Sequence, residues 1–236
     1  MVQGDAKLTT NETGISARPR HATMRKIHKI NAVFLIVFLM LHLATHLSGI
    51  FGISTYNSVQ STLRLIYGNL LVKTVVIASI VIQLVVGAIL LVRSLCRGRP
   101  VGFWPWTQVL SGGLFLIFMA QHLYSLWFAR VIFDLNTNFY WPASVMSGPP
   151  FIYYFIPYYF LGVWAVIAHI GVGVRYWVLN AGNKIAADRV GVGIIVAGAF
   201  VSALILPILS GVFSEIEMPQ EWIDYLRFYD PDFVPW

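Results

Sequence analysis

Five long apolar stretches dominate the sequence, and polar connections separate them. The stretches lie near residues 30–51, 70–92, 107–130, 152–177 and 189–213. Each is long enough to cross a bilayer as a helix, which takes about 20 residues. They are continuously apolar and do not alternate with polar residues, which favours helices over a β-barrel. The pattern therefore predicts an all-α integral membrane bundle of five transmembrane helices over residues 30–213, in one domain.

Three polar or aromatic segments lie outside these stretches. Residues 1–29 are basic and lack the apolar core of a secretory signal, so we interpret them as a retained tail. Residues 214–236 alternate acids with aromatics, and residues 136–159 are rich in aromatics. We expect both of these segments to be interfacial or to dock against a partner.

The composition narrows the class of protein. The chain is 58% apolar and only 11% charged, which is too little charge to cover the surface of a soluble domain of 236 residues. The single cysteine, Cys96, excludes an intramolecular disulfide and any multi-cysteine iron–sulfur or zinc site. The net charge of +6 could indicate a nucleic-acid partner. However, the basic residues are concentrated in alternate connections between the apolar stretches, which is typical of a membrane protein.

Basic and acidic residues separate between the two sides of the predicted bundle. Most of the 16 lysines and arginines lie in the N-terminal segment and in the second and fourth connections: Lys7, Arg18, Arg20, Arg25, Lys26, Lys29, Arg93, Arg97, Arg99, Arg175, Lys184 and Arg189. Most acids lie on the other side: Asp134, Glu215, Glu217, Glu221, Asp224, Asp230 and Asp232. The positive-inside rule therefore places the N-terminus in the cytoplasm or mitochondrial matrix and the C-terminus outside. We expect a lipid bilayer as the surroundings and no nucleic-acid partner.

Histidines occur within the apolar stretches. His42 and His46 lie roughly 18–24 Å from the inner edge of the first helix, and His122 lies at roughly 22 Å on the third, at 1.5 Å per residue. The three are therefore predicted to share one layer in the outer half of the bilayer. His169 lies on a helix that runs the opposite way, in the inner half, and His28 lies at the inner mouth of the first helix.

Ionisable residues inside a membrane are costly and usually have a function in the bundle interior. Two imidazoles from different helices at equal depth could ligate a haem iron from both sides. The alternatives are hydrogen bonds between helices, or a role in metal binding or proton transfer. Either His42 or His46 could pair with His122, and we take His46 and His122 as the iron ligands in the first instance.

The first helix and its approach resemble a known family. The stretch MRKIHKINAVFLIVFLMLHLATHLSG is similar to the start of the membrane-anchor cytochrome b subunits of succinate dehydrogenase and fumarate reductase, of the single-chain, five-helix type. His28-Lys29-Ile30-Asn31-Ala32 resembles their His-Arg-Ile-Ser/Thr-Gly stretch. The resemblance covers roughly residues 25–180 in layout, and its specificity depends mainly on the first helix.

The resemblance implies ligands for up to two haems b. His42 or His46 with His122 matches the outer pair of the family, and His169 matches the inner ligand on the fourth helix. The second helix carries no histidine, only Gln83 as a polar residue well inside, so the inner haem lacks its expected partner. The chain then binds one haem, has an altered inner site, or takes a ligand from another subunit.

The resemblance also implies a site for ubiquinone or menaquinone. Lys29 replaces the arginine of the family, and His28 and Asn31 could donate to a quinone carbonyl. The alternative for His28 and Lys29 is that they snorkel to the inner headgroups. No catalytic residue is identified in this chain.

The expected function is to anchor a respiratory complex in the bacterial or mitochondrial inner membrane and to pass electrons between its iron–sulfur subunit and quinone. The iron–sulfur and flavoprotein subunits would bind the inner face, and further membrane subunits or a homo-oligomer are compatible with it. One alternative is a non-catalytic accessory subunit that keeps the fold. Another is the cytochrome b anchor of a different quinone-linked enzyme, such as a formate dehydrogenase or a hydrogenase.

Overall fold

A computed structural model shows the predicted set of long helices. It describes the backbone of residues 17–236 and the side chains of residues 22–236. Five helices are long and apolar enough to cross a membrane: Ala22–Phe51, Leu70–Cys96, Phe103–Ile132, Phe151–Asn180 and Lys184–Leu209. The described residues form no strand. The prediction of an all-α, five-helix membrane bundle is therefore confirmed, whereas its orientation stays a prediction.

The helical elements follow one another closely along the chain. In order they are α1 (Ala17–Ser48), a 3₁₀ turn (Gly49–Phe51), α2 (Ile53–Tyr67), α3 (Leu70–Cys96), α4 (Phe103–Trp127), a π-helical segment (Phe128–Ile132), α5 (Tyr140–Ser144), α6 (Phe151–Asn180), α7 (Lys184–Leu209) and α8 (Gln220–Arg227). Helix α1 thus begins inside the basic 1–29 segment, whose first 16 residues lie outside the described part of the chain.

Local sequence explains where the long helices start. The side chain of Asn69 accepts from the backbone N–H of Leu71 at the start of α3, and Asn183 caps α7 in the same way. Such caps satisfy backbone donors that have no partner inside the helix. Gly102 precedes α4 with φ of +91°, a conformation that glycine adopts without a steric penalty. These short breaks set the spacing of successive spans.

The five spans close into a ring. Helix α1 packs against α3, α3 against α4, α4 against α6, α6 against α7, and α7 against α1. Helices α1 and α4 are not neighbours in this ring, and neither are α1 and α6. A side chain of α1 that contacts α4 or α6 must therefore extend across the interior.

Helices α6 and α7 form the most closely packed pair of the ring. A Cβ added to Gly198 would lie 2.8 Å from the side chain of Ile167, and one added to Gly171 would lie 3.2 Å from the backbone oxygen of Gly191. The small residues let the two helices approach closely, as is usual between membrane helices.

One end of the ring carries a folded layer, which we call the cap. It consists of α2, residues 133–150 with α5, and residues 214–236 with α8. Trp222, Phe233, Met146 and Phe139 are almost fully buried in its core. The expectation that residues 136–159 and 214–236 are interfacial or dock against a partner is therefore wrong for Phe139, Trp222 and Phe233, which pack into the core of the chain itself.

The opposite end holds a different set of contacts. The Nε of Arg175 on α6 lies 2.8 Å from the Oδ1 of Asp188 on α7, and the Arg175 side chain is only 7% exposed. The guanidinium also lies 4.4 Å from the ring centre of Trp104 on α4. The ion pair and the cation–π contact tie α4, α6 and α7 together at this end.

Candidate histidine sites inside the bundle

The described histidine side chains divide into two groups, one towards each end of the ring. We call His42, His46 and His122 the cap-end cluster, and His28 and His169 the opposite-end pair. Both groups involve helices that are not neighbours in the ring. The histidine rings therefore lie in the interior of the bundle.

The cap-end cluster brings together rings from α1 and α4. The ring centres of His42 and His122 are 6.2 Å apart, and those of His42 and His46 are 4.9 Å apart. The three rings lie next to one another, as a shared layer requires, whereas the position of this layer in the outer half of the bilayer stays a prediction. Their role as iron ligands stays a prediction, and His42, not His46, has the ring contact with His122.

Tyr56 orients His46. Its hydroxyl lies 3.3 Å from the Nδ1 of His46, and its side chain is only 2% exposed. Burial raises the pKa of Tyr56, so the phenol stays protonated and can donate to the imidazole. The sequence analysis missed this residue, because its position on the short helix α2 does not reveal that α2 folds back over α1.

Aromatic side chains pack around the cluster. Phe38 stacks on His42 with ring centres 5.9 Å apart, and Phe118 stacks on His122 at 5.6 Å. Trp141 of the cap lies 5.4 Å from His122. The cavity next to His122 measures about 40 Å³, which is enough for water but far below the several hundred Å³ of a typical cofactor pocket.

The opposite-end pair joins α1 to α6. The ring centres of His28 and His169 are 6.4 Å apart. The Nε2 of His28 lies 3.4 Å from the Nε2 of Gln83, and the Nδ1 of His169 lies 3.4 Å from the hydroxyl of Ser111. The Nδ1 of His28 is buried without a hydrogen-bond partner in the structure. Snorkelling is therefore the wrong interpretation for His28, whose ring lies inside the bundle.

Two glycines leave room for these rings. A Cβ on Gly87 would lie 3.4 Å from the Cε1 of His28, and one on Gly112 would lie 3.2 Å from the Cε1 of His169. A larger residue at Gly112 would therefore displace the His169 ring. Because the second span has no histidine, the sequence predicts that His169 lacks a partner on that span. The structure instead places His28 of the first span beside His169.

The role of His28, Lys29 and Asn31 in quinone binding stays a prediction. The amide nitrogen of Asn31 donates to the Ser79 carbonyl and to the Oε1 of Gln83, both at 2.8 Å, so it joins α1 to α3. Lys29 is exposed. Only His28 of the three faces another histidine in the interior.

The donor set defines what the two groups can bind. In the part of the chain that the structure describes, no three His, Cys, Asp or Glu side chains converge as a site for a bare metal ion would require. Each group does offer two imidazoles from opposite helices, which is the donor set of a bis-histidine haem. The unpartnered Nδ1 of His28 fits such a group as well, whereas the space beside Gly87 and Gly112 is filled by the histidine rings themselves.

Comparison with known proteins adds no relative. No protein-family model matches the chain, and neither does any curated protein or solved structure. The fold and the histidine geometry are therefore the observations on which a function can be based.

Proposed function

We propose that this chain is the membrane anchor subunit of a respiratory complex of the succinate dehydrogenase/fumarate reductase type, and that it binds haem b. The observation that carries the proposal is the approach of His42 and His122 to 6.2 Å across the interior of the ring. Two imidazoles that ligate one iron from opposite faces have ring centres roughly 6 Å apart, given metal–nitrogen bonds of about 2 Å. Hydrogen bonds between helices do not require this ring separation.

The residues of the chain have distinct roles in this proposal. His42 and His122 would hold the iron, because their ring centres are 6.2 Å apart, and Tyr56 would fix the neighbouring ring of His46. A bound haem supplies one-electron redox chemistry, and the bundle would tune its potential through burial and ligand orientation. The opposite-end pair, His28 and His169, has nearly the same ring separation and would hold a second haem.

Charge distribution supports the arrangement of partners. The positive-inside rule places the cap outside, and the basic opposite end would face the iron–sulfur and flavoprotein subunits in the cytoplasm or matrix. Electrons would pass between that end and ubiquinone or menaquinone in the bilayer. His28 and Asn31 both contact Gln83, whereas Lys29 is exposed, so the proposal assigns no complete set of residues to quinone binding.

A reduced-minus-oxidised spectrum of the purified full-length chain tests haem binding. We expect a b-type band that is lost in His122→Leu and in His42→Leu. It should persist in His46→Leu with a changed midpoint potential, because His46 would be a neighbour and not a ligand. Tyr124→Leu is the matched control, since this exposed residue lies on the same helix as His122. A parent protein without any band, after expression with haem supplied, would contradict the proposal.

The haem content per chain tests the second pair. Two haems that fall to one in His28→Leu, with the band of the cap-end cluster retained, would place a second haem between His28 and His169. One haem per chain that is unaffected by this substitution would limit the chain to the cap-end site. Co-purification with a flavoprotein separates the proposed complex from another quinone-linked dehydrogenase.

A second candidate is a non-catalytic accessory subunit with the same fold. The observation that favours it is the close packing of Phe38 and Phe118 on the histidine rings, which leaves only about 40 Å³ beside His122. In that case the histidines serve as polar contacts between helices. The parent would then show no haem band, and His122→Leu would change only the thermal stability.

A further inference from the structure

A shallow depression lies at the cap end, away from the histidines. It has a volume of about 410 Å³ and is lined by Arg64, Arg130, Asp134, Leu135 and Asn136. Arg64 belongs to α2, and Arg130 belongs to the π-helical segment that ends the third span. Short π-helical segments are frequent at functional sites. The depression thus joins two arginines from separate elements.

The two guanidinium groups are held in place by the same loop. Arg64 donates to the Oδ1 of Asn136 at 2.8 Å and to the carbonyl oxygen of Thr137 at 2.6 Å. The Nε of Arg130 donates to the hydroxyl of Thr137 at 2.7 Å. Both cations therefore converge on Thr137, where their mutual repulsion opposes the arrangement.

Among the described side chains, no carboxylate forms an ion pair with Arg64 or Arg130. The ion pair found among the described side chains, Arg175–Asp188, lies at the opposite end. Asp134 lines the depression but forms no ion pair with either arginine. A guanidinium has five N–H donors, and Arg130 uses only its Nε on Thr137, as far as the described residues show. Two cations and one acid leave an excess of positive charge with free donors.

In a bilayer crossed by these helices, the depression would lie at the height of the lipid headgroups. Arg130 lies in the last turn of the span that ends at Ile132, and Arg64 lies shortly before the span that begins at Leu70. The apolar residues next to both arginines are highly exposed: Leu65 81%, Ile66 61%, Val131 63% and Ile132 53%. An apolar surface below a positive depression suits a lipid, whose acyl chains and headgroup would contact the two parts.

We propose that this depression binds the phosphate of an anionic phospholipid. Phosphate oxygens match the fork of N–H donors on a guanidinium, and such charge-assisted hydrogen bonds are the strong ones. The acyl chains would lie along the exposed apolar residues of α2 and of the π-helical segment. Asp134 opposes binding by its charge. The proposal requires only the membrane fold and is independent of haem.

Thermal unfolding of the detergent-solubilised full-length chain provides the test. Added dioleoylphosphatidylglycerol should raise the Tm, because a ligand of the folded state stabilises it. Dioleoylphosphatidylcholine and dioleoylphosphatidylethanolamine should have much smaller effects. Inorganic phosphate at equal concentration should also have little effect, because it lacks the acyl chains. This arm separates a lipid from a free phosphate ion.

Two substitutions are expected to act in opposite directions. Arg130→Gln should weaken the response to phosphatidylglycerol by roughly tenfold or more, since a hydrogen bond to a charged group is lost. Asp134→Asn should shift the response to lower lipid concentration, because it removes the opposing charge. Asparagine tolerates the φ of +53° at this position, so the backbone is preserved. Lys73→Gln is the control, with the same loss of charge outside the depression.

Other outcomes would overturn the proposal. Equal responses of Arg130→Gln and Lys73→Gln would mean that general surface charge attracts the lipid. A response to phosphatidylethanolamine that is lost in Asp134→Asn would indicate a zwitterionic headgroup held by Asp134. A response to inorganic phosphate as large as that to lipid would indicate a simple anion site.

Discussion

The two ends of this helical ring differ in how they are held together. At the cap end, α5, α8 and the segments around them bury large aromatic side chains such as Trp222 and Phe233. At the opposite end, short connections join the helices, and the contacts are polar: an ion pair, a cation–π contact and the amide of Asn31. Yet each end places two histidines from non-neighbouring helices within about 6.5 Å of each other.

The two ends of the bundle are therefore stabilised by different kinds of contact. The aromatic side chains of the cap pack against one histidine group, through Tyr56 and Trp141. The opposite end is held by polar contacts, and its connections carry mostly basic residues, such as Arg93, Arg97 and Arg99. The predictions below test whether the cap depends on burial and the opposite end on polar contacts.

The largest effect is expected from Trp222→Ala in the cap. The side chain is fully buried, so its removal should cost about 3–5 kcal/mol in the free energy of unfolding. Thermal unfolding of the full-length chain in detergent measures the loss. Trp236→Ala is the control, because this tryptophan is 71% exposed. Equal destabilisation by both substitutions would contradict the role of the cap core.

The same residue offers a sharper test. The Nε1 of Trp222 is buried and has no hydrogen-bond partner in the structure. Trp222→Phe keeps an aromatic ring and removes this unpaired donor, which offsets part of the lost packing. We therefore expect Trp222→Phe to be clearly less destabilising than Trp222→Ala in the same unfolding measurement. A similar loss for both would show that the indole donor has a partner.

An intermediate effect is expected from Asp188→Asn at the opposite end. The substitution leaves the buried guanidinium of Arg175 without its partner. Because Asp188 is 37% exposed, water screens the pair, and we expect a cost of about 1–2 kcal/mol. Asp232→Asn, an exposed acid of the cap, is the control in the same unfolding assay. In a double-mutant cycle, Asp188→Asn should cost much less free energy of unfolding in the Arg175→Met background than in the parent. Additive losses would show that the two side chains are not coupled.

The smallest effect is expected from Asn31→Leu. It removes the two hydrogen bonds to Ser79 and Gln83, yet polar contacts between membrane helices average only about 0.6 kcal/mol. We expect a loss of about 1 kcal/mol or less, with Met40→Leu on the exposed face of α1 as the control. A loss as large as that of Trp222→Ala would show that the opposite end depends on this contact far more than its geometry indicates.

Much of the histidine geometry was predictable, and one part was not. Depth along a regular helix is a linear function of residue number, so the common layer of His42, His46 and His122 followed from the sequence. The meeting of His28 with His169 did not, because it depends on the rotation of α1 about its axis. The contact of Gln83 with both His28 and Asn31 depends on the same rotation.

The cap was the main error of the sequence-based interpretation. Aromatic residues between acids, as in residues 214–236, suit an interface with lipid or a partner as well as an internal core. Composition does not distinguish the two, because burial depends on where α8 and α5 fold back. Similarly, Arg64 and Arg130 are two basic residues on the side of the bundle that is predicted to face outside, and they lie far apart in the sequence. Only the fold brings both of them to Thr137.

The sequence by itself determined that the surroundings of this protein are a lipid bilayer, how many helices span it, and how far along its helix each histidine lies. These properties follow from apolar run length and from the fixed rise of a helix, which are local. Only the tertiary structure decided which rings face each other, which aromatics are buried in the cap and which arginines converge. Those features depend on the packing of helices far apart in the chain, and no local pattern encodes it.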